Sequence, residues 1–103
     1  MYARVAKFEG VNVDVAKQTF QEAEAIIRPM VEGLAGYAGH TELMASDGQM
    51  LSITYFDSEE NASAAEPTFD EEMPRKLGEL FSADWEGRRV SVGRYEVTSE
   101  ERR

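Results

Sequence analysis

His40 is the sole histidine of the sequence. Imidazole is the side chain that exchanges a proton nearest neutral pH, so His40 is the first acid/base candidate. It follows Gly33, Gly36 and Gly39, where a glycine-rich loop enters a strand. The structural alternative is an edge histidine that bonds locally, and one histidine without companion ligands makes a poor metal site. Arg4 is the second candidate: turned toward a cavity it would hold a phenolate, carboxylate or enolate, and otherwise it forms a structural salt bridge. Arg94 carries the same ambiguity. Tyr37, Tyr55, Phe56, Phe69 and Trp85 could line a pocket for a flat aromatic ligand, stacking on it and offering phenolic hydrogen bonds. Core packing accounts for any one of them more simply. Trp85, beside Glu86 and Gly87, either closes a pocket mouth or seals a joint between helix and sheet.

Other chemistries are excluded. The chain has no cysteine, hence no disulfide, thiolate metal site or cysteine nucleophile. No phosphate-binding glycine motif, serine-nucleophile elbow or dinucleotide fingerprint is present. The acidic runs Glu59-Glu60 and Asp70-Glu71-Glu72 suit solvated helix starts, and the methionines suit adaptable packing. With 11 Lys+Arg against 20 Asp+Glu the formal net charge is −9, which repels nucleic-acid phosphates and anionic lipid. A small molecule or a protein is the expected partner, and no cofactor is called for. Neither a signal peptide nor an apolar run of about 18 residues is seen, so the expected location is the cytoplasm.

The elements that must position these residues follow from periodicity. Tyr2 to Glu9 alternates as a strand, with Val5 on one face and Tyr2, Arg4, Ala6 and Phe8 on the other. From Asp14 the apolar residues Ala16, Phe20, Ala23, Ile27, Met30 and Leu34 recur at helical spacing, leaving Lys17, Gln21, Glu24 and Arg28 off the stripe. Asn12 or Asp14 caps this helix, and Pro29 predicts a stop or kink around Arg28. Two strands, 38–46 and 49–56, flank Asp47-Gly48, a dipeptide suited to a two-residue hairpin turn. Ser58 caps a second helix that Pro67 interrupts, Thr68-Phe69-Asp70-Glu71 reads as a capping box for its restart, and Pro74 implies a further break. Phe69, Met73, Leu77, Leu80 and Phe81 supply its apolar face. A last strand covers about 88–98.

The order is β-α-β-β-α-β: an α+β, ferredoxin-like domain over 1–98 with a loose tail at 99–103. Its four-stranded antiparallel sheet carries both helices on one face. The other face would expose Val, Ile and Leu at about 25 cal/mol per Å² of apolar area, a penalty that a homodimer packed sheet against sheet removes.

At this point the sequence resembles the dimeric α+β barrel proteins related to the antibiotic-biosynthesis monooxygenase group. The resemblance rests on the first strand, Pro29 followed by Gly36-Tyr37-Ala38-Gly39, the Asp47-Gly48 hairpin, Tyr55 to Glu60 and Arg94-Tyr95-Glu96-Val97. Relatives often carry Trp-Glu-Ser where this chain has Phe56-Asp57-Ser58. The resemblance implies a homodimer with a pocket in each subunit between helices and sheet. Members of the group have several activities, and the first expectation here is a cofactor-independent monooxygenase acting on aromatic or polyketide-like substrates, with His40 as candidate base and Arg4 or a tyrosine holding the oxyanion. A non-catalytic binding or structural barrel is the alternative. The haem-degrading branch is disfavoured, because its asparagine, tryptophan and histidine positions align near Ala6, Ala65 and Pro74.

Overall fold

The structure, a computed structural model, describes residues 1–78 and 87–102. The alternation of the first strand becomes β1 (Tyr2–Glu9) at the centre of the sheet. It pairs antiparallel with β3 (Met50–Phe56) on one side and β4 (Arg88–Glu96) on the other, while β2 (Tyr37–Met44) pairs outside β3. The sheet order is β2-β3-β1-β4, the arrangement that the element order predicts. Register sorts the faces: Arg4 and Ala6 lie opposite Thr54 and Ser52 on the helix-covered face. Arg4, Ala6 and Thr54 are all buried there.

The helix α1 (Val13–Glu32) begins at Asn12, whose side chain accepts the Val15 N–H at 3.3 Å. It does not end near Arg28 but runs on through Pro29. The proline removes one hydrogen bond close to the helix end. Val31, only 1% exposed, anchors the turn beyond it in the core. Phe20, expected on the buried stripe, is 47% exposed, because it stands over a cavity.

The second helical region is in pieces. Ser58 accepts the Asn61 N–H and caps α2 (Glu59–Ala64). A π-helical turn at Thr68–Glu72 follows, then α3 (Met73–Leu77). The expected capping box at Thr68 does not form. Pro67 adopts helical dihedrals, and the Thr68 N–H bonds Ala65 C=O at 3.0 Å, so no helix start is left to cap. Pro74 does not break the segment: α3 follows the π-turn directly, and the Met73 N–H reaches Thr68 C=O across the junction. Leu80, Phe81 and Trp85 lie outside the described residues.

Val31, Phe56, Ala62, Ala65 and Phe69 form the buried cluster that joins α1, α2 and the π-turn to the sheet. The hairpin forms between β2 and β3 but is wider than two residues. Gly48 N–H reaches Ala45 C=O at 3.1 Å, and Ala45 N–H reaches Gln49 C=O at 2.8 Å. Gly48 takes φ +92° where the chain turns back. Among the described residues no helix is long and apolar enough to cross a membrane.

Gly36 tests this packing. It has φ +74°, and a Cβ there would collide with the Asp57 and Asn61 side chains. Gly36→Ala is expected to destabilise the fold by about 2–3 kcal/mol in urea unfolding, from backbone strain plus the clash.

Candidate functional site

Between the helix-covered sheet face and the helices lies a cavity of about 340 Å³. Its body is apolar, built from Phe8, Phe20, Ile27, Met44, Met50 and Phe69. Its polar groups fall at two ends. Glu24 of α1, bonded to His40, lies on the β2–β3 side with Glu42 and Ser52, while Asp70 meets Arg89 of β4. An apolar chamber with a few convergent polar groups is the usual form of a small-molecule site.

His40 is the centre of a hydrogen-bonded chain. Its Nδ1 is 2.7 Å from the Tyr37 hydroxyl and its Nε2 is 3.1 Å from Glu24 Oε1. A carboxylate only accepts, so Nε2 carries the proton in the neutral ring, and Tyr37 O–H donates to Nδ1. Residues three apart in a regular strand point to opposite faces. Here Tyr37 pairs with Phe56 and Gly39 with Tyr55, leaving Ala38 as an extra residue. That bulge puts Tyr37 and His40 on the same face.

Burial, with the Glu32 and Glu24 carboxylates, pushes the Tyr37 hydroxyl above the ordinary phenol range, and Arg28 opposes them. Tyr37 therefore stays protonated at neutral pH. Burial likewise raises Glu42 above the ordinary carboxylate range, with Glu24 adding to the shift and His40 and a Ser52 hydrogen bond opposing it.

Arg4 is committed elsewhere. Its Nε and a terminal nitrogen reach the two Glu66 oxygens at 3.0 and 3.3 Å, and its guanidinium lies 4.0 Å from the Phe69 ring centroid. The salt-bridge alternative describes what this side chain does. Arg94 approaches the same Glu66 at 3.8 Å.

The aromatic candidates separate. Phe69 lines the cavity. Tyr37 packs against the core and touches His40 rather than the cavity. Phe56 is 0% exposed within the core, and Tyr55 projects from the opposite sheet face by register, so neither lines the chamber. Trp85 falls outside the described residues. Sequence reasoning passed over Glu24 and Glu42. Glu24 lies one residue past Ala23 and three before Ile27, at the border of the apolar stripe, and that border position was the available signal.

No family model matches the sequence, and neither does any curated protein. Solved structures do. A dimeric ferredoxin-like protein from an uncultured marine organism matches with TM-score 0.72 and 15% identity, over 99% of this chain and 98% of that one. A monooxygenase from the gene ActVA-Orf6 of Streptomyces coelicolor, solved with nanaomycin D, matches with TM-score 0.67 and 12% identity, over 99% and 91%. The haem degrader MhuD of Mycobacterium tuberculosis, solved with two haems in its active site, matches with TM-score 0.66 and 17% identity, over 98% and 99%. At these identities the likeness establishes the fold. The chain has the α+β ferredoxin-like architecture found in the antibiotic biosynthesis monooxygenase group.

The residues here do not suit haem. The sole histidine has both ring nitrogens engaged, and Pro74, in the cavity wall, has no side-chain donor for iron. Among the described residues no three His, Asp or Glu side chains converge as a metal set.

The raised Glu42 carboxyl sets a pH test. The folded protein favours its neutral form, so this group's contribution to stability is present below its ordinary value of 4.5 and is lost as pH rises through the folded value. Glu42→Gln should raise the melting temperature at pH 7 by no more than about 3 °C, since the side chain keeps contact with water, and should leave it unchanged at about pH 4.

Proposed function

We propose that the cavity binds a flat, electron-rich phenol or enol and promotes its oxygenation by dioxygen without a cofactor. The observation that carries this reading is the Tyr37–His40–Glu24 chain ending in the wall of a chamber whose body is apolar. The shared fold of a solved monooxygenase agrees with it. Glu24 Oε2 takes the substrate proton, while the His40 Nε2–H holds the carboxylate in place and offsets its charge. The resulting anion supplies the electrons for a C–O bond to dioxygen. Proton transfer and loss of water from the peroxide leave a carbonyl, so one oxygen atom stays in the product and one leaves as water. Arg4 takes no part in holding the oxyanion, being paired with Glu66.

Oxygen consumption with an anthrone and quinol panel tests this. His40→Ala and Glu24→Gln are each expected to lower kcat/KM by about 10²-fold or more. Uptake at the uncatalysed rate in the wild-type protein removes the reaction, and wild-type rates in both variants remove the roles given to His40 and Glu24. Ligand-dependent melting shifts without oxygen uptake would mark the chamber as a binding site alone.

The chain is further proposed to pair with a second copy through the helix-free sheet face. By register that face carries Val5, Leu51, Ile53, Tyr55, Leu43 and Tyr95, and Leu43 and Tyr95 are 50% and 59% exposed. Sedimentation should give a dimer at micromolar concentration, and Ile53→Glu should shift it to the 11.6 kDa monomer. A wild-type monomer would remove the pairing.

A further inference from the structure

The charged groups bordering the cavity among the described residues are Glu24, Glu42, Asp70 and Arg89, with His40 between the first two. Arg89 is charge-paired, its NH1 lying 2.8 Å from Asp70 Oδ1, so that end of the cavity carries no net charge. Arg4, the nearest buried cation, is closed off by Glu66. Arg28 is 3.7 Å from Glu24 but projects outward, its side chain 59% exposed, and it does not line the chamber. Lys17 borders only an outer groove that shares Phe20, Glu42 and Met44 with the cavity. The segment 79–86 has neither lysine nor arginine in its sequence. Once Asp70 and Arg89 are set against each other, two carboxylates remain on the β2 side, and Glu42 has only a 3.5 Å contact from the Ser52 hydroxyl.

A chamber with apolar walls strengthens interactions with the charges on its rim, because little water screens them. Carboxylates accept hydrogen bonds and repel like charge. We infer that the cavity selects its ligand by the polarity of the head group: an aromatic body bearing a hydrogen-bond donor, phenolic hydroxyl or ammonium, is admitted against Glu24 and Glu42, and the carboxylate of the same shape is rejected. This deepens the proposed function by naming its substrate class and rests on the same cavity. It narrows that class to neutral or cationic aromatics and excludes aromatic acids.

Calorimetric titration with three probes of one shape tests the selection: 2-naphthol, 2-naphthylmethylamine and 2-naphthoate. Naphthol and the ammonium probe are expected to bind, with naphthoate at least about tenfold weaker. The gap should shrink as salt is raised from about 20 to about 500 mM, a measurement made on the wild-type protein alone. In the Glu24→Gln, Glu42→Gln double variant it should fall to about threefold or less. Naphthoate binding as tightly as naphthol, a gap insensitive to both salt and the double substitution, or binding by none of the three overturns the inference. The two readings fail separately. Selective binding without oxygen uptake removes the reaction and leaves the selectivity, whereas oxygenation of aromatic acids as fast as their neutral analogues removes the selectivity and leaves the reaction.

Discussion

The buried guanidinium of Arg4 is the interaction on which the helical half of the molecule depends. It projects from the central strand, 2% exposed, grips Glu66 with two nitrogens and lies 4.0 Å over the Phe69 ring centroid. An arginine this deep is tolerable only when its charge and donors are matched. The match comes from a segment that changes helical form along its length, from α2 through the π-turn to α3. The ion pair and the ring contact thus fix where the π-turn sits on the sheet. Phe69, Asp70 and Met73 of that region then form one side of the chamber.

Against that side stands the β2 edge, and the contrast between them defines the chemistry. The Arg4 side is a closed network of three arginines and two acids, Arg4, Arg89 and Arg94 with Glu66 and Asp70. It is structural. The β2 side holds a histidine whose two nitrogens are assigned by their partners, beside a carboxylate displaced from its usual range. Perturbed groups gathered at a cleft point to function more often than ion pairs that only join elements.

Much of the fold was legible because it is written in periods of two and of three to four residues. The faces of β1, the cap at Ser58 and the strand order all follow from such patterns. What was not legible depends on partners far away in sequence. Pro29 reads as a helix stop until the burial of Val31 beyond it is known. Thr68 reads as a cap until Pro67 is seen in helical dihedrals. His40 was visible as a residue type, but its partners were not: Glu24 sits at the edge of a stripe, and Tyr37 reaches the ring only because the strand breaks its alternation at Ala38. Arg4 was visible with two roles, and the choice between them required knowing that Glu66, sixty-two positions on, is its neighbour.

That break at Ala38 gives the site an unusual form of inheritance. The meeting of phenol and imidazole is encoded in the parity of the strand: a spacing of three, which regular alternation would part, is brought to one face by the single extra residue. Side-chain replacement at position 38 leaves the parity intact. Straightening the bulge with Ala38 retained would swing one partner to the far side of the sheet, whereas deletion of Ala38 leaves tyrosine and histidine two apart in a regular strand, still on one face. The contact therefore depends on the bulge as much as on the two residue types, and a comparison that scores only matched residue types would overlook its loss.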